Sequence, residues 1–209
     1  MTAEIPGSRR PGGRTARTRE AVMQAVVAEL AENGYAGTTV ERVAQRAGIA
    51  KTTIYRRWGG LDGLLADLMA EHAAREIPVP DEGDLDRDLR ALARAVAASL
   101  ADPAIRAAFG SMLAAAVQDP AARGVLSRFL AGRIARMAVI IDRAVERGEL
   151  RPDTDAAEVL RTLAILIYGR LFLTGEQPCP PMADTAAAAV AAAACAGAMR
   201  IFPGKGAAG

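Results

Sequence analysis

The stretch of sequence that decides the fold is residues 38–65, which read TTVERVAQRAGIAKTTIYRRWGGLDGLL. It contains two short helical patterns joined by a turn at Gly48. Glycine readily takes the left-handed backbone conformation that ends one helix and redirects the chain. In the second pattern Ile54 and Trp58 recur at four-residue spacing, so we expect both side chains to face the core. This arrangement is typical of a helix-turn-helix unit.

The second helix of this unit, from about residue 50 to 58, is dense in hydrogen-bond donors. Arginine can pair with guanine in the major groove of DNA, and threonine methyl groups suit the thymine methyl. Lysine, arginine and tyrosine can also hold phosphates, which fixes orientation without reading sequence. We therefore predict a DNA-binding face formed by Lys51, Thr52, Thr53, Tyr55, Arg56 and Arg57.

The distribution of charge agrees with this prediction. The chain has a net charge of only +2, but residues 1–60 contain ten Lys or Arg and five Asp or Glu. A basic amino-terminal part on a mildly acidic body is a signature of binding to nucleic acid or another anionic surface. A solvated charged face is the alternative explanation. Residues 1–13 are predicted to be disordered, and Arg9, Arg10 and Arg14 form either a basic arm along DNA or a solubilising tail.

Several functional classes find little support in the sequence. Cys179 and Cys195 have no metal-ligand spacing, and His72 is the single histidine. Glycine-rich phosphate loops, sets of nucleophile and base, and secretory signals are not recognisable. The longest strongly apolar segment, residues 163–168, is far below the ~20 residues of a membrane span. We therefore expect a cytoplasmic protein, with no enzymatic activity, no metal, no cofactor and no membrane association.

The remainder of the chain is predicted to be helical, giving an all-α fold of about nine helices. Asp102-Pro103 and Asp119-Pro120 each place a capping residue before a proline, which opens a helix. Thr38 is predicted to cap the second helix, with Glu41 completing a capping box. The predicted divisions are a disordered arm (1–13), a helix-turn-helix domain (14–60), a larger helical domain (61–203) and a disordered tail (204–209).

Part of this stretch resembles a known family. The resembling elements are Gly34-Tyr35, Thr38-Thr39-Val40, Ala44, Ala47-Gly48-Ile49, Ile54-Tyr55-Arg56-Arg57-Trp58 and Leu64-Leu65. Together they are similar to the amino-terminal domain of the tetracycline-repressor (TetR) family, over roughly residues 14–68. The resemblance implies a dimeric, all-α transcription factor, usually a repressor, that binds a palindromic operator and is released from it by a small molecule.

The same resemblance implies roles for individual residues. Thr38 and Thr39 correspond to phosphate-binding positions, and Tyr55 to a residue that lies against the DNA backbone. Lys51, Thr52, Thr53 and Arg56 correspond to positions that approach base edges or phosphates. The sequence departs from the family pattern at Ala50, Gly60 and Leu61, where relatives often have a serine, a serine or threonine, and a lysine. These changes predict a weaker grip on phosphate at both places.

The resemblance also implies an effector cavity among the fourth to eighth helices and a dimer through the eighth and ninth. Phenylalanine and methionine suit a plastic apolar cavity for a small apolar effector. The candidate lining residues are Phe109, Met112, Leu113, Phe129, Met137, Tyr168 and Phe172. The eighth helix, after Asp155, is apolar on more than one side, and the ninth, after Pro180-Pro181, is rich in alanine. Both features favour burial against a second subunit.

Two other classes of function remain as alternatives. A helical interaction protein without DNA affinity is favoured by the departures at Ala50, Gly60 and Leu61, but the intact Thr-rich and Arg-rich helix argues against it. An enzyme is disfavoured because the acidic residues are scattered or lie at helix caps.

Overall fold

The architecture is built from helices alone. The structure, a computed structural model, describes residues 12–74 and 77–201, with side chains described for residues 15–68 and 77–201. Within these ranges there is no β-strand, only an isolated bridge between Thr154 and Arg200. The prediction of an all-α fold of about nine helices is confirmed. The helices are α1 (Gly12–Gly37), α2 (Val40–Ala47), α3 (Lys51–Trp58), α4 (Leu61–Ala74), α5 (Leu85–Ser99), α6 (Pro103–Gln118), α7 (Pro120–Glu146), α8 (Ala156–Phe172) and α9 (Pro180–Cys195).

Aspartate caps begin four of the five helices from α5 to α9. Each of these carboxylates accepts at least one backbone N–H from the first turn of its helix, which satisfies donors that have no partner inside the helix. Proline at the first or second position follows the caps of α6 and α7, as predicted. The four capping residues are Asp84, Asp102, Asp119 and Asp155.

The predicted cap of α2 is wrong. Thr39, not Thr38, is the N-cap, and its side chain accepts a hydrogen bond from the backbone N–H of Arg42 at 3.2 Å. The hydroxyl of Thr38 instead donates to the carbonyl of Gly34 at 2.7 Å. Gly34 has φ 67° and ψ 178°, a break inside α1 that brings its carbonyl within reach of Thr38. The capping box with Glu41 is consequently not formed.

The amino-terminal helices pack onto the body through α1 and α4. Helix α1 contacts α2, α4 and α6, while α4 contacts α7. The phenol of Tyr35 donates to Asp119, the N-cap of α7, at 2.9 Å, which holds the end of α1 against the other helices. The hydroxyl of Ser111 donates to the carbonyl of Leu30 at 3.1 Å. The buried apolar side chains of both parts belong to a single core.

A glycine allows α3 and α4 to meet closely. A Cβ atom added to Gly63, in the first turn of α4, would lie 1.7 Å from the carbonyl oxygen of Trp58 at the end of α3. No side chain larger than hydrogen fits at that distance unless the two helices move apart. Gly63 therefore fixes the approach of α4 to the short helix that precedes it.

Some predictions fall outside the described residues. The predicted arm with Arg9 and Arg10, the tail 204–209 and the side chains of Arg14 and His72 belong to this group, so the predictions made for them stay untested. In the described ranges no group of three or more His, Cys, Asp or Glu residues is placed to hold a metal ion. No single helix there is long and apolar enough to cross a membrane, although α5 and α6 qualify as a pair bent by 98°.

Replacement of Gly63 by alanine is expected to lower the free energy of unfolding by about 1–3 kcal/mol, because the new methyl group overlaps the Trp58 carbonyl. The matched control is Gly132→Ala in α7, where an added Cβ meets nothing within 4 Å. That control should raise stability by about 0.5–1 kcal/mol, the usual gain of alanine over glycine in a helix. Urea unfolding followed by circular dichroism measures both. Equal effects of the two substitutions would contradict the close approach.

Candidate nucleic-acid interface and body cavity

The turn between α2 and α3 sets the direction of the donor-rich helix. Gly48 ends α2 with φ 65° and ψ 34°, and its N–H bonds to carbonyls of the last turn of α2. Helix α3 then buries Ile54 completely against the core. The opposite side faces solvent, with Thr53 half-exposed and the other predicted contact residues exposed: Lys51, Thr52, Tyr55, Arg56 and Arg57. The structure thus brings these six side chains together on one short helix.

Trp58 fixes the end of α3 through a carboxylate of α4. Its indole N–H donates to Asp67 Oδ2 at 2.9 Å, and the ring is partly buried against the core. The guanidinium of Arg19, from α1, donates to both oxygens of Asp67 at 2.8 and 3.0 Å. The Arg19 guanidinium, together with the Trp58 N–H, lowers the pKa of Asp67 against the opposing effect of burial. Asp67 therefore joins three helices, a role that the sequence pattern did not reveal.

A second carboxylate fixes α2 on α1. Glu29 is buried, and its oxygens accept hydrogen bonds from Arg42 and Arg46, each at 2.7 Å. Arg46 also pairs with Glu32. The hydrogen bond from Arg42 is the largest of the effects that lower the pKa of Glu29. The charges of Arg42 and Arg46 are thus neutralised by ion pairs that join α2 to α1. Fewer basic side chains are therefore available to bind DNA than the count of basic residues indicates.

The basic side chains of α3 differ in the partners that they already contact. Lys51 lies 3.6 Å from Glu41, an exposed ion pair of the kind that contributes little to stability. Arg57 lies over the Trp58 ring, 4.8 Å from its centroid, and donates to the carbonyl of Thr15 at 3.4 Å. Among the residues that the structure describes, Arg56 has no hydrogen-bond or ion-pair partner. Its guanidinium is therefore available to a ligand without breaking an existing contact.

The two threonines at the start of α2 differ in exposure. Thr39 is exposed at the cap, where a phosphate can approach it. Thr38 is buried, with 3% of its surface accessible, and its hydroxyl is already bonded to Gly34. Of the eight residues predicted to contact DNA, Thr38 is the one that the structure places inside the molecule.

The seven predicted effector residues form two groups, five that pack in or against the core and two that line a cavity. The first group is centred on α6. Phe109 is buried at the centre of an aromatic cluster, with ring centroids 5.9 Å from Phe129, 5.1 Å from Tyr168 and 5.8 Å from Phe172. Met112 is buried in the core and Leu113 packs against it. Helix α6 thus contributes filled core at this point rather than open space.

A cavity of about 40 Å³ lies beside this cluster, between α5, α7 and α8. Of the seven predicted effector residues, Met137 and Tyr168 line it and the other five do not. Its polar side chains are Tyr168 and Arg133, which sequence reasoning missed because an arginine on an amphipathic helix looks like a surface residue. The lining residues are Leu92, Val96, Leu130, Arg133, Ile134, Met137, Leu160, Leu163, Ala164, Ile167 and Tyr168.

The helix-turn-helix geometry and the helical body define a class of protein, the helix-turn-helix transcription regulators. Comparisons with known proteins agree. A family model described as "Bacterial regulatory proteins, tetR family" matches residues 22–68. A second model, "Tetracyclin repressor-like, C-terminal domain", matches residues 79–193. The chain belongs to the TetR family of transcription regulators, and the resemblance seen in the sequence is confirmed.

Individual relatives extend over most of the chain. The transcriptional regulator AqdR of Rhodococcus erythropolis is 30% identical over 168 residues, covering 80% of this chain and 81% of that protein. The regulator YdeS of Bacillus subtilis is 27% identical over 173 residues, covering 81% and 86%. A TetR-family regulator from Syntrophomonas wolfei has the same fold, with a TM-score of 0.73 at 13% identity, covering 90% of this chain and all of that one.

Replacement of Asp67 by asparagine is expected to lower the free energy of unfolding at neutral pH, because Arg19 loses its ion-pair partner. Since the pKa of Asp67 is lowered in the folded protein, its contribution is present above the ordinary value of 3.8 and is lost as the pH falls through the folded value. The gap in stability between wild type and variant should therefore be constant at neutral pH and shrink in acid.

Urea unfolding at a series of pH values, followed by the emission of Trp58, the single tryptophan, measures this gap. Asp62→Asn is the control, because Asp62 is an exposed carboxylate on the same helix. A gap for Asp67→Asn that is independent of pH would show that the carboxylate charge is unimportant.

Proposed function

We propose that this TetR-family regulator is a dimeric repressor that binds a palindromic operator through α3 of each subunit and leaves it when a small apolar effector binds the body. The observation that carries the DNA-binding part is the exposed face of α3, with Arg56 unpartnered among the described residues and Ile54 anchored beneath it. We assign residues 14–60 to DNA binding and 61–203 to effector binding and dimerisation, in the cytoplasm where the operator lies.

The backbone of α3 adds to the proposed contact with phosphate. Its N-cap, Ala50, makes no side-chain hydrogen bond to the first turn. Backbone N–H groups at a helix N-terminus carry partial positive charge and bind anions readily. Because no side chain caps this end of α3, its first N–H groups stay open to a DNA phosphate, which offsets part of the weaker grip that the alanine predicts. Thr39, Lys51, Tyr55 and Arg57 are the proposed side-chain contacts with the backbone of the operator.

Lys51→Ala is expected to weaken binding to all DNA sequences and to lower the slope of log affinity against log salt by about one unit, because one phosphate contact is lost. Arg56→Ala should instead relax the preference at one base pair, at a cost of roughly 1–3 kcal/mol. Fluorescence anisotropy with an operator and its single-site variants, across several salt concentrations, separates the two effects. Arg87→Ala, which removes an exposed arginine of α5, should leave both quantities unchanged.

The operator itself comes from selection on random DNA and from gel shifts on palindromes near the gene of the protein. Lack of specific retardation in the presence of competitor DNA, even at low salt, would favour the alternative of a helical interaction protein without DNA affinity.

The dimer is proposed to form through α8 and α9. Ile165 and Leu166 of α8 have 61% and 36% of their surface exposed. The small side chains of Ala189 and Ala192, on α9, are also exposed and allow close approach of another helix. A four-helix contact between two subunits would remove this apolar surface from water. The two-fold axis would then match a palindromic operator.

Ile165→Asp is expected to convert a dimer into a folded monomer, because a carboxylate would be buried without a partner at the centre of the contact. Val117→Asp is the matched control: Val117 is 74% exposed near the end of α6, outside the α8–α9 surface. Sedimentation at micromolar concentration should give dimers for the wild type and the control. A stable monomer for the wild type would rule out the proposed geometry on DNA.

The effector site is proposed to be the cavity between α5, α7 and α8. Its apolar walls suit an apolar molecule, and Met137 and Tyr168 are the two lining residues that were also predicted from the sequence. Helix α7 forms one wall and packs against α4, which carries Asp67. A ligand that binds only when α7 has moved would favour an arrangement of α3 that no longer matches the operator.

A further inference from the structure

The cavity is lined by a cation, Arg133, that pairs with no anion among the described residues. Arg133 lines the cavity from α7 and is partly buried, with its guanidinium carbon 5.5 Å from the centre of the Phe129 ring. Among the residues that the structure describes, no carboxylate or carbonyl accepts a hydrogen bond from it. Burial lowers the pKa of Arg133, which reflects the cost of removing its charge from water. An arginine nonetheless stays protonated in a protein.

The second polar group of the cavity is also a potential donor. The phenol of Tyr168 lines the same space, and no described residue is hydrogen-bonded to it. Burial raises the pKa of Tyr168, so the phenol is neutral and keeps its proton. The side chains that line the cavity thus include two hydrogen-bond donors and no carboxylate. The rest of the lining is apolar and consists mainly of leucine, valine, isoleucine and methionine.

The guanidinium and the apolar walls together indicate which chemical class of ligand fits the cavity. A partly desolvated guanidinium gains most from an anion that accepts two parallel hydrogen bonds, which is the geometry of a carboxylate. The apolar walls exclude ligands with many polar groups, because these would lose their hydrogen bonds to water. A single acidic group on a hydrocarbon body satisfies both conditions.

We propose that the effector is an apolar monocarboxylate, whose carboxylate is bound by Arg133 and the Tyr168 hydroxyl and whose hydrocarbon part occupies the cavity between α5, α7 and α8. This inference rests on the proposed function in taking that cavity as the effector site, and it replaces a wholly apolar effector by an amphipathic one.

The size of the cavity adds a consequence. The cavity has a volume of about 40 Å³ and is partly open to solvent, so a hydrocarbon chain of more than a few carbons extends out of it unless the surrounding helices move. Helix α7 carries Arg133 and, one turn later, Arg136, which donates to the carbonyl of Ile77 at 3.0 Å in the segment that follows α4. A ligand bound to Arg133 would therefore act on the same helix that contacts α4 and the segment after it.

The first test measures binding without DNA. Isothermal titration and thermal denaturation of the full-length protein are carried out with hexanoate, octanoate, decanoate and benzoate, each compared with its primary amide. The amides keep the shape and remove the charge. At least one carboxylate is expected to bind and raise the melting temperature, with an affinity about tenfold or more above that of its amide.

The second test uses variants of one helix. Arg133→Met keeps much of the side-chain volume and should abolish the preference for the carboxylate. Arg133→Lys keeps the charge without the paired hydrogen bonds and should retain part of the preference. Arg128→Met, which removes an exposed arginine of α7, should bind as the wild type does. Circular dichroism shows whether each variant is folded. If Arg133→Met does not fold, the test uses the reduced preference of Arg133→Lys instead.

The outcomes separate this inference from the function on which it rests. No binding of any carboxylate, equal binding of acids and amides, or equal effects of Arg133→Met and Arg128→Met would overturn the ligand class. Binding that depends on Arg133 but leaves the affinity for a selected operator unchanged, measured by anisotropy, would support the ligand class and overturn release by the effector. Release of the operator by the carboxylate and not by its amide supports both.

Discussion

The hydrogen bonds to Asp67 are the constraint on which the DNA-binding face depends. A helix as short as α3 is not stable alone in water, so its position must come from contacts with the rest of the protein. Ile54 holds it from below, but Trp58 is what fixes its far end, through the carboxylate that also binds Arg19. Removing a buried or half-buried acceptor of this kind affects both partners at once, since each donor is left without its bond. The orientation of α3 therefore depends on α1 and α4 as well as on the Gly48 turn that joins it to α2.

Much of the fold could be predicted because its signals are local. An aspartate before a helix or a Pro at its start acts within one turn, so the helix starts were found at Asp102 and Asp119 without knowledge of the packing. The same reasoning failed at Thr38 because two adjacent threonines offer equivalent caps, and the choice between them depends on the break at Gly34. The exposed face of α3 was also predictable. Ile54 and Trp58 recur at four-residue spacing and mark the buried side of the helix, which leaves the other side chains facing solvent.

The charged side chains that support the DNA-binding helices or line the cavity could not be predicted in the same way. Glu29, Asp67 and Arg133 are each single charged residues on amphipathic helices, where the common reading is a solvated surface position. Their burial arises only when a second and third helix pack around them. Phe109 and Phe129 were expected to line a cavity because the family resemblance implies one there and phenylalanine suits a plastic apolar site, but both rings are buried and pack against each other in the core.

The cavity and the DNA-binding face are linked by packed helices, since α7 lines the cavity and contacts α4, and α4 contacts α3. Asp119, the N-cap of α7, accepts the Tyr35 hydrogen bond from α1, and α7 also packs on α4. An effector in the cavity can shift the equilibrium only by the difference between its affinities for the two positions of α7. A switch from 1% to 99% of the released state requires a difference of roughly 10⁴-fold. Under the proposed function, Arg133, which has no anionic partner among the described residues, would be one source of such a difference if a carboxylate binds it better in one position of α7 than in the other.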